Sequence, residues 1–327
     1  MAKKRILSGM RPTGPLHLGN LHGALANWKS MQDDYECFFF IADWHALTTD
    51  YDATTPVQGY ILDVFLDWLS VGLSPDKCTL FVQSHIKEHA ELFLLLSMIT
   101  PLPWLERNPT YKEQIAQLKN RDLSNFGFLG YPVLQAADII MYKANGVPVG
   151  IDQAPHVELT REIARRFNHF YGDIFPIPET ILTETSKILG LDRRKMSKSY
   201  NNAVFLSDPP DEIRRKVSEM ITDPQRARRS DPGDPAVCNV FSFHQLYSDQ
   251  ETIQRVDQEC RKAKIGCVEC KQMMAENLIG ALEPIREKRS YYEAHPDTVR
   301  AIIEDGDQRA QAVARKTMEE VRAAVKI

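Results

Sequence analysis

The chain has 327 residues, 43% of them hydrophobic and 26% charged, so it can bury a core of its own. It is longer than the roughly 250 to 300 residues that one core usually serves, which points to two domains. A net charge of −4 excludes a protein that is basic all over and coats nucleic acid, and no apolar run approaches the roughly 20 residues that cross a bilayer.

The first residues, MAKKRILSG, are basic but lack the apolar stretch of a secretory signal, so a cytoplasmic location is expected. RILSG, from Arg5, reads as a short buried strand. It runs into GMRPTGPLHLGNLHGALANW, Gly9 to Trp28, a loop rich in glycine, proline and histidine that opens a helix. Further apolar runs follow at CFFFIAD from Cys37, TLFVQ from Thr79 and GVPVG from Gly146. Stretches of helical spacing separate them, such as VQGYILDVFLDWLSVG, with Ile61, Val64, Phe65, Trp68 and Leu69 on one stripe. Strand alternating with helix predicts an α/β fold, a doubly wound parallel sheet.

In such sheets ligands lie at the carboxyl ends of the strands. A glycine-rich turn there presents backbone N–H groups to an anion, and phosphate is the expected guest. The same glycines, Gly14, Gly19 and Gly23, would also serve tight turns and close helix packing.

After about Leu206 the strand signals fade. Helical patterns follow at PDEIRRKVSEMI, QETIQRVDQECRKAK, MMAENLIGALEPIREKRSYYEAH and QRAQAVARKTMEEVRAAVKI. The expected division is a sheet domain over 1–190, a helical domain over 191–300 and a C-terminal helix over 301–327 that packs back on the first.

RKMSKSYNN, Arg194 to Asn202, falls at the junction. A loop of two lysines and two serines with little bulk can bring Lys195 and Lys198 onto a polyphosphate and neutralise the charge that grows on leaving pyrophosphate.

PLHLGN and KMSKS together resemble the two signature motifs of class I aminoacyl-tRNA synthetases. FFFIADWHALTTDY and FLGYPVLQAADIIMYKANGVPVGIDQAPHVELTREIARRFN extend the likeness, over nearly the whole chain, to the tryptophanyl-tRNA synthetases. The resemblance implies a Rossmann-like catalytic domain with a smaller all-helical anticodon-binding domain. It assigns Arg11, Pro12 and Thr13 to the ATP phosphates and His17, Gly19 and Asn20 to the adenosine and α-phosphate. Gly150, Ile151 and Asp152 would contact ribose and adenine, with Ile188 at the adenine wall. Lys195, Met196, Ser197, Lys198 and Ser199 would close over the β- and γ-phosphates, His17, Asn20, Lys195 and Lys198 being the catalytic set.

For tryptophan the resemblance points to Asp138. A carboxylate at the bottom of an apolar pocket accepts the indole N–H, a donor that phenylalanine lacks. Tyr131, Gln135 and Gln153 would serve the α-ammonium and carboxylate, with His45 and Leu7 completing the pocket. Many bacterial members have Phe where this chain has Leu7 and Met where it has Gln135. The resemblance further implies L-tryptophan and tRNA(Trp) as partners, ATP with Mg²⁺, and a homodimer.

Cys37 and Cys78 lie in or beside strands and read as buried hydrophobes. Cys238, Cys260, Cys267 and Cys270 form C-x21-C-x6-C-x2-C, a spacing that reads as a metal site, with zinc and iron–sulfur both open. A similar set one residue longer holds a [4Fe–4S] cluster in one subgroup of the family, so the cluster is the leading expectation and structural Zn²⁺ the second. The rival readings of the whole chain are a tyrosyl-tRNA synthetase, because LQAAD is similar to that family, a small-molecule adenylyltransferase acting without tRNA, and a non-catalytic RNA-binding metalloprotein.

Overall fold

A computed structural model describes residues 3–117, 122–183 and 188–327. Five strands form one parallel sheet: β1 (Arg5–Met10), β2 (Glu36–Ile41), β3 (Cys78–Val82), β4 (Gly146–Val149) and β5 (Glu179–Leu182), in the order β3-β2-β1-β4-β5. The four apolar runs of the sequence are β1 to β4. The strand that the runs do not announce is β5, a half-exposed edge of four residues, ETIL, whose surface never imposes an unbroken apolar stretch.

The order reverses between β1 and β4, which makes their shared carboxyl edge the switch point where such sheets take ligands. β1 delivers Arg11–Gly14 to that edge, and β4 delivers Gly150–Gln153. Beside them β2 leads into the helix Asp43–Asp50, and β3 into the turn Gln83–His85. Beneath lies a core of Leu7, Phe38, Phe40, Phe81 and the apolar face of the helix Phe126–Met141.

By compactness the chain forms two units. One is Met1–Gly14, Ala24–Thr185 and His295–Ile327; the other is Pro15–Gly23 and Ser186–Ala294. Neither unit is continuous in sequence. The loop Pro15–Gly23 groups with the later half of the chain, and the helix Pro296–Val325 groups with the sheet.

That last helix covers the open edge of β3. Asp307 Oδ1 accepts from Val82 N–H at 3.1 Å, and Arg309 Nη2 donates to the carbonyl of Cys78 at 3.1 Å, so the groups an edge strand leaves bare find partners. The approach is close because residue 306 is glycine: a Cβ there would stand 1.7 Å from the Leu80 carbonyl oxygen.

The second unit is helical. The long helix Cys267–Ala294 packs on Pro210–Glu219 and on Asn239–Tyr247, and Gln250–Arg261 leans on the latter. Asp249 caps Gln250–Arg261 by accepting from Thr252 N–H at 2.7 Å.

Gly306→Ala places a methyl against rigid backbone and is expected to destabilise the protein by about 3 kcal/mol. A thermal unfolding midpoint within a degree or so of the parent's would contradict this packing.

Candidate active site

The loop Pro15–Gly23 and the segment after residue 188 are joined at backbone level. Leu18 N–H donates to the Val204 carbonyl at 3.0 Å, Leu206 N–H donates to Leu16 at 2.9 Å, and His17 and Phe205 form an antiparallel bridge. His17 opens the short helix Leu18–Asn20, where its N–H donates to Asn20 Oδ1 at 3.0 Å. Gly19 leaves room for the His17 ring: a Cβ would meet Cε1 at 2.9 Å, Nδ1 at 3.0 Å and Met196 Cβ at 3.7 Å. The two sequence motifs therefore meet around one imidazole.

The electrostatics carry the same message. Burial, then the charge of Lys198 and, more weakly, that of Lys195 lower the His17 pKa to about 4, so the ring is neutral at physiological pH. A neutral imidazole beside two lysines adds no charge of its own to theirs.

The lysine loop has a fixed frame. Met196 is buried and its N–H donates to the Ile188 carbonyl at 3.1 Å, while Leu189 bridges Lys195. Asn202, also buried, holds the turn from within. Its Oδ1 accepts from Ser197 N–H at 2.8 Å, and its Nδ2 donates to Asp192 at 2.7 Å and to the Lys195 carbonyl at 3.3 Å. Ser197 and Ser199 hydroxyls pair at 2.9 Å, and Lys195 and Ser199 face solvent. Asn202 stood in the quoted motif without a role. Its signal was a small amide flanking a loop too short to organise itself.

In the sheet unit, Arg11 turns onto the Asp43–Asp50 helix. It donates to Thr49 Oγ1, to Asp50 Oδ2 at 3.2 Å and to the Ala46 carbonyl at 3.4 Å. Pro12 is buried and Thr13 exposed. Gly150 begins the turn Ile151–Gln153, in which Ile151 and Asp152 are exposed and Gln153 Nε2 donates to Asp152 Oδ2 at 3.0 Å.

Asp138, on the helix Phe126–Met141, is completely buried. Its carboxylate accepts from His89 Nδ1 at 2.5 Å, His45 Nε2 at 2.9 Å and Gln83 Nε2 at 2.9 and 2.8 Å. Burial favours protonation, but the charge of His89 and the hydrogen bonds from His45 and His89 outweigh it, and the pKa is lowered. Asp138 is thus an ionised carboxylate in the protein interior. Of its three partners His45 alone is partly exposed, while Gln83 and His89 are fully buried. Leu7 lies in the core cluster that also holds Ala136, Ala137, Ile139 and Ile140, and Gln135 is half-buried on the same helix as Asp138.

Tyr131, about two turns earlier, meets His156, with its OH 3.2 Å from Nε2. The direction of this bond follows from the chain behind it. Thr110 N–H donates to Asn108 Oδ1 at 3.0 Å, which turns the Asn108 amide nitrogen toward His156 Nδ1 at 3.3 Å. His156 is neutral, its pKa lowered to about 4 mainly by burial and then by His45, so its proton sits on Nε2 and is donated to the Tyr131 oxygen. The phenol, pushed up by burial, keeps its own proton for another partner. Gln83, His89 and Asn108 have no motif around them, and His156 stands in the quoted GIDQAPHVELTREIARRFN without a role of its own; only the fold gathers them.

The four clustered cysteines are free thiols at helix ends. Cys238 caps Asn239–Tyr247, Cys260 lies in the last turn of Gln250–Arg261, and Cys267 and Cys270 open Cys267–Ala294. Burial, then repulsion from the thiolates of Cys238, Cys260 and Cys267, pushes Cys270 up to about 12, so the four share one neighbourhood. Arg226 Nη1 donates to Cys260 Sγ at 3.6 Å, and Cys270 Sγ lies 3.5 Å from His244 Nε2. Among the described residues no group of three or more His, Cys, Asp or Glu could hold a metal ion as it stands. The metal site expected from the spacing is therefore present as neighbouring thiols and not as an assembled ligand set.

Residues 2–283 match the model of the class I tRNA synthetases for tryptophan and tyrosine, and the chain belongs to that family. Within it the chain sides with one branch. A tryptophan–tRNA ligase of Thermotoga maritima is 51% identical over 325 residues, covering 99% of both chains. One of Aquifex aeolicus is 46% identical and covers 99% of this chain and 100% of its own. The solved tryptophanyl-tRNA synthetase of Campylobacter jejuni, complexed with ADP and tryptophan, superposes with a TM-score of 0.92 at 32% identity, over 99% of this chain and 100% of that one. A tyrosyl-tRNA synthetase of Archaeoglobus fulgidus, at 19% identity and a TM-score of 0.65, shares the fold.

Gly19→Ala would drive a methyl into the His17 ring. The expected result is a rise in KM for ATP of about tenfold or more in pyrophosphate exchange, with the fold intact by circular dichroism. An unchanged KM for ATP would show that the ring position does not matter to the nucleotide.

Proposed function

We propose that this chain activates L-tryptophan with ATP to tryptophanyl-adenylate and transfers it to tRNA(Trp), releasing AMP and pyrophosphate. The observation that carries the reading is the neutral His17 held against Lys198 and Lys195, a cationic pair facing a group that adds no charge of its own. A triphosphate carries the opposite charge to the two lysines. The tryptophan carboxylate attacks the α-phosphorus in line; the bond from that phosphorus to the bridging oxygen breaks, and pyrophosphate leaves with the electron pair. Lys195 and Lys198 take up the growing charge, and Met196, Ser197 and Ser199 shape the loop that carries them. Arg11, Pro12 and Thr13 serve the phosphates, Gly19 and Asn20 the nucleotide beside His17, and Gly150, Ile151, Asp152 and Ile188 the adenosine. Mg²⁺ binds through the phosphates, without a protein cage. No side chain forms a covalent intermediate; the rate comes from placement and charge.

Asp138 reads the indole N–H, which approaches on the Oδ2 side, where His45 is the partly exposed partner. Tyr131, Gln135 and Gln153 serve the amino acid's charged end, and Leu7 backs the ring. The buried, ionised state of Asp138 supports this role: a ligand without a donor would leave it poorly matched. Residues 1–190 act as the catalytic domain and 191–300 as the anticodon domain, with 301–327 buttressing the first. The protein works in the cytoplasm as a homodimer; Leu94, Met98, Leu102 and Phe126, all more than half exposed, suit a covered apolar face. Among the described residues no helix is long and apolar enough to cross a membrane.

The cysteine quartet holds a [4Fe–4S] cluster. Four thiols in one neighbourhood suit a cationic guest that takes them as thiolates. Anaerobically purified protein is expected to be brown, with about four iron atoms per chain. A colourless protein with one zinc per chain would favour the second expectation, and one with neither metal would remove both.

Tryptophan-dependent ATP–pyrophosphate exchange, run beside tyrosine and phenylalanine, tests the reaction and the specificity together. Asp138→Asn is expected to cut discrimination against phenylalanine by about a hundredfold. Exchange driven equally by tyrosine would overturn the choice of amino acid.

A further inference from the structure

Behind Asp138 stands a second layer that the reaction does not use directly. His89, on the helix Glu88–Ile99, is fully buried and bonded at both ring nitrogens. Nδ1 meets Asp138 Oδ1 at 2.5 Å, and Nε2 meets the Tyr142 hydroxyl at 2.6 Å. Tyr142 is itself fully buried at the end of the helix that carries Asp138, and its ring packs on Phe38, Phe81 and His89.

The direction of these bonds is determined by their ends. An ionised carboxylate can only accept, so Nδ1 must carry a proton and donate it. Tyr142 keeps its hydrogen, because burial and then the charge of Asp138 push the phenol well above its usual range. With Nδ1 donating to Asp138 and Nε2 meeting the Tyr142 hydroxyl, every buried polar atom in the row is satisfied. The row runs Tyr142 to His89 to Asp138, and it approaches the carboxylate at Oδ1, whereas His45 approaches at Oδ2.

We infer that His89, locked by Tyr142, is a positioning residue for amino-acid specificity: it holds the Asp138 carboxylate turned so that Oδ2, on the side of the partly exposed His45, is the oxygen that meets the indole N–H. The inference rests on the tryptophan reading above. Its physical content is a division of labour between the two oxygens. Oδ1 is tied to the protein interior by His89, Gln83 bridges the pair, and the Oδ2 side ends at the one partner with access to solvent. Without the His89 donor the buried charge loses a hydrogen bond of the strong, charge-assisted kind, and the carboxylate turns or takes up a proton. A protonated or rotated Asp138 no longer distinguishes an indole from a phenyl ring.

The test uses the full chain in pyrophosphate exchange with tryptophan and phenylalanine, measuring KM for each amino acid and for ATP. His89→Leu is expected to raise KM for tryptophan by about tenfold to a hundredfold and to reduce discrimination by a similar factor, with KM for ATP within about twofold of the parent. His89→Asn, whose amide nitrogen can occupy the place of Nδ1, is expected to recover much of that loss. Tyr142→Phe keeps the ring packing, releases the imidazole tautomer, and is expected to give a smaller loss in the same direction. If His89→Leu does not fold, Tyr142→Phe and His89→Asn decide on the same readouts. Loss of discrimination in Asp138→Asn with parental values in the His89 and Tyr142 variants would overturn this inference alone. Unaltered discrimination in Asp138→Asn would instead overturn the reading beneath it. Equal losses for tryptophan and ATP would mark a structural defect and count against a positioning role.

Discussion

Two backbone hydrogen bonds, Leu18 to Val204 and Leu206 to Leu16, bring together segments nearly two hundred residues apart in the chain. Everything proposed for the nucleotide depends on them. They set His17 beside the loop that bears Lys195 and Lys198, and burial, with the charge of the lysines behind it, keeps its imidazole uncharged. The imidazole can then lie close to the lysines without adding to their repulsion, and their charge is the right sign for polyphosphate. Gly19 permits the ring position, and Asn202 fixes the loop through bonds to its own backbone. The surroundings are organised in advance, so little reorganisation is left for the moment of reaction.

A second constraint operates in the sheet unit. A charged carboxylate with no exposure is costly unless its neighbours compensate, and Asp138 is compensated by donors from three different elements: the Asp43–Asp50 helix, the turn after β3 and the Glu88–Ile99 helix. The same edge carries Tyr131, whose orientation descends from Thr110 through Asn108 and His156. Both rows are anchored in the packed interior. Specificity of this sort depends on the interior as much as on the contact surface.

Much of this was legible in the sequence, and the reason differs by element. β1 to β4 are strands because buried parallel strands must be apolar on both faces, and that pressure writes itself as FFFI or TLFV. The edge strand β5 and the short helix Asn239–Tyr247 face less burial and leave no comparable trace. The motifs around His17 and Lys195 were visible because several residue types recur at fixed spacing there. His89, Gln83 and Asn202 were not, since a single polar residue carries no sign of a partner about fifty residues away or of a turn it holds from within. The grouping of Pro15–Gly23 with the distant half of the chain is a long-range pairing that local periodicity does not encode.

The most direct measurement follows the His17 ring by NMR, with histidine labelled at Cε1, between about pH 7 and pH 5 with and without ATP. Held down by burial and the two lysines, the ring is expected to keep its neutral-imidazole signal across that range in the free protein, in line with a pKa of about 4. A triphosphate that neutralises the lysines should raise the pKa and move the signal toward the protonated form. Titration at the ordinary value of 6.5, unaffected by ATP, would mean that the lysines and the imidazole do not share a nucleotide.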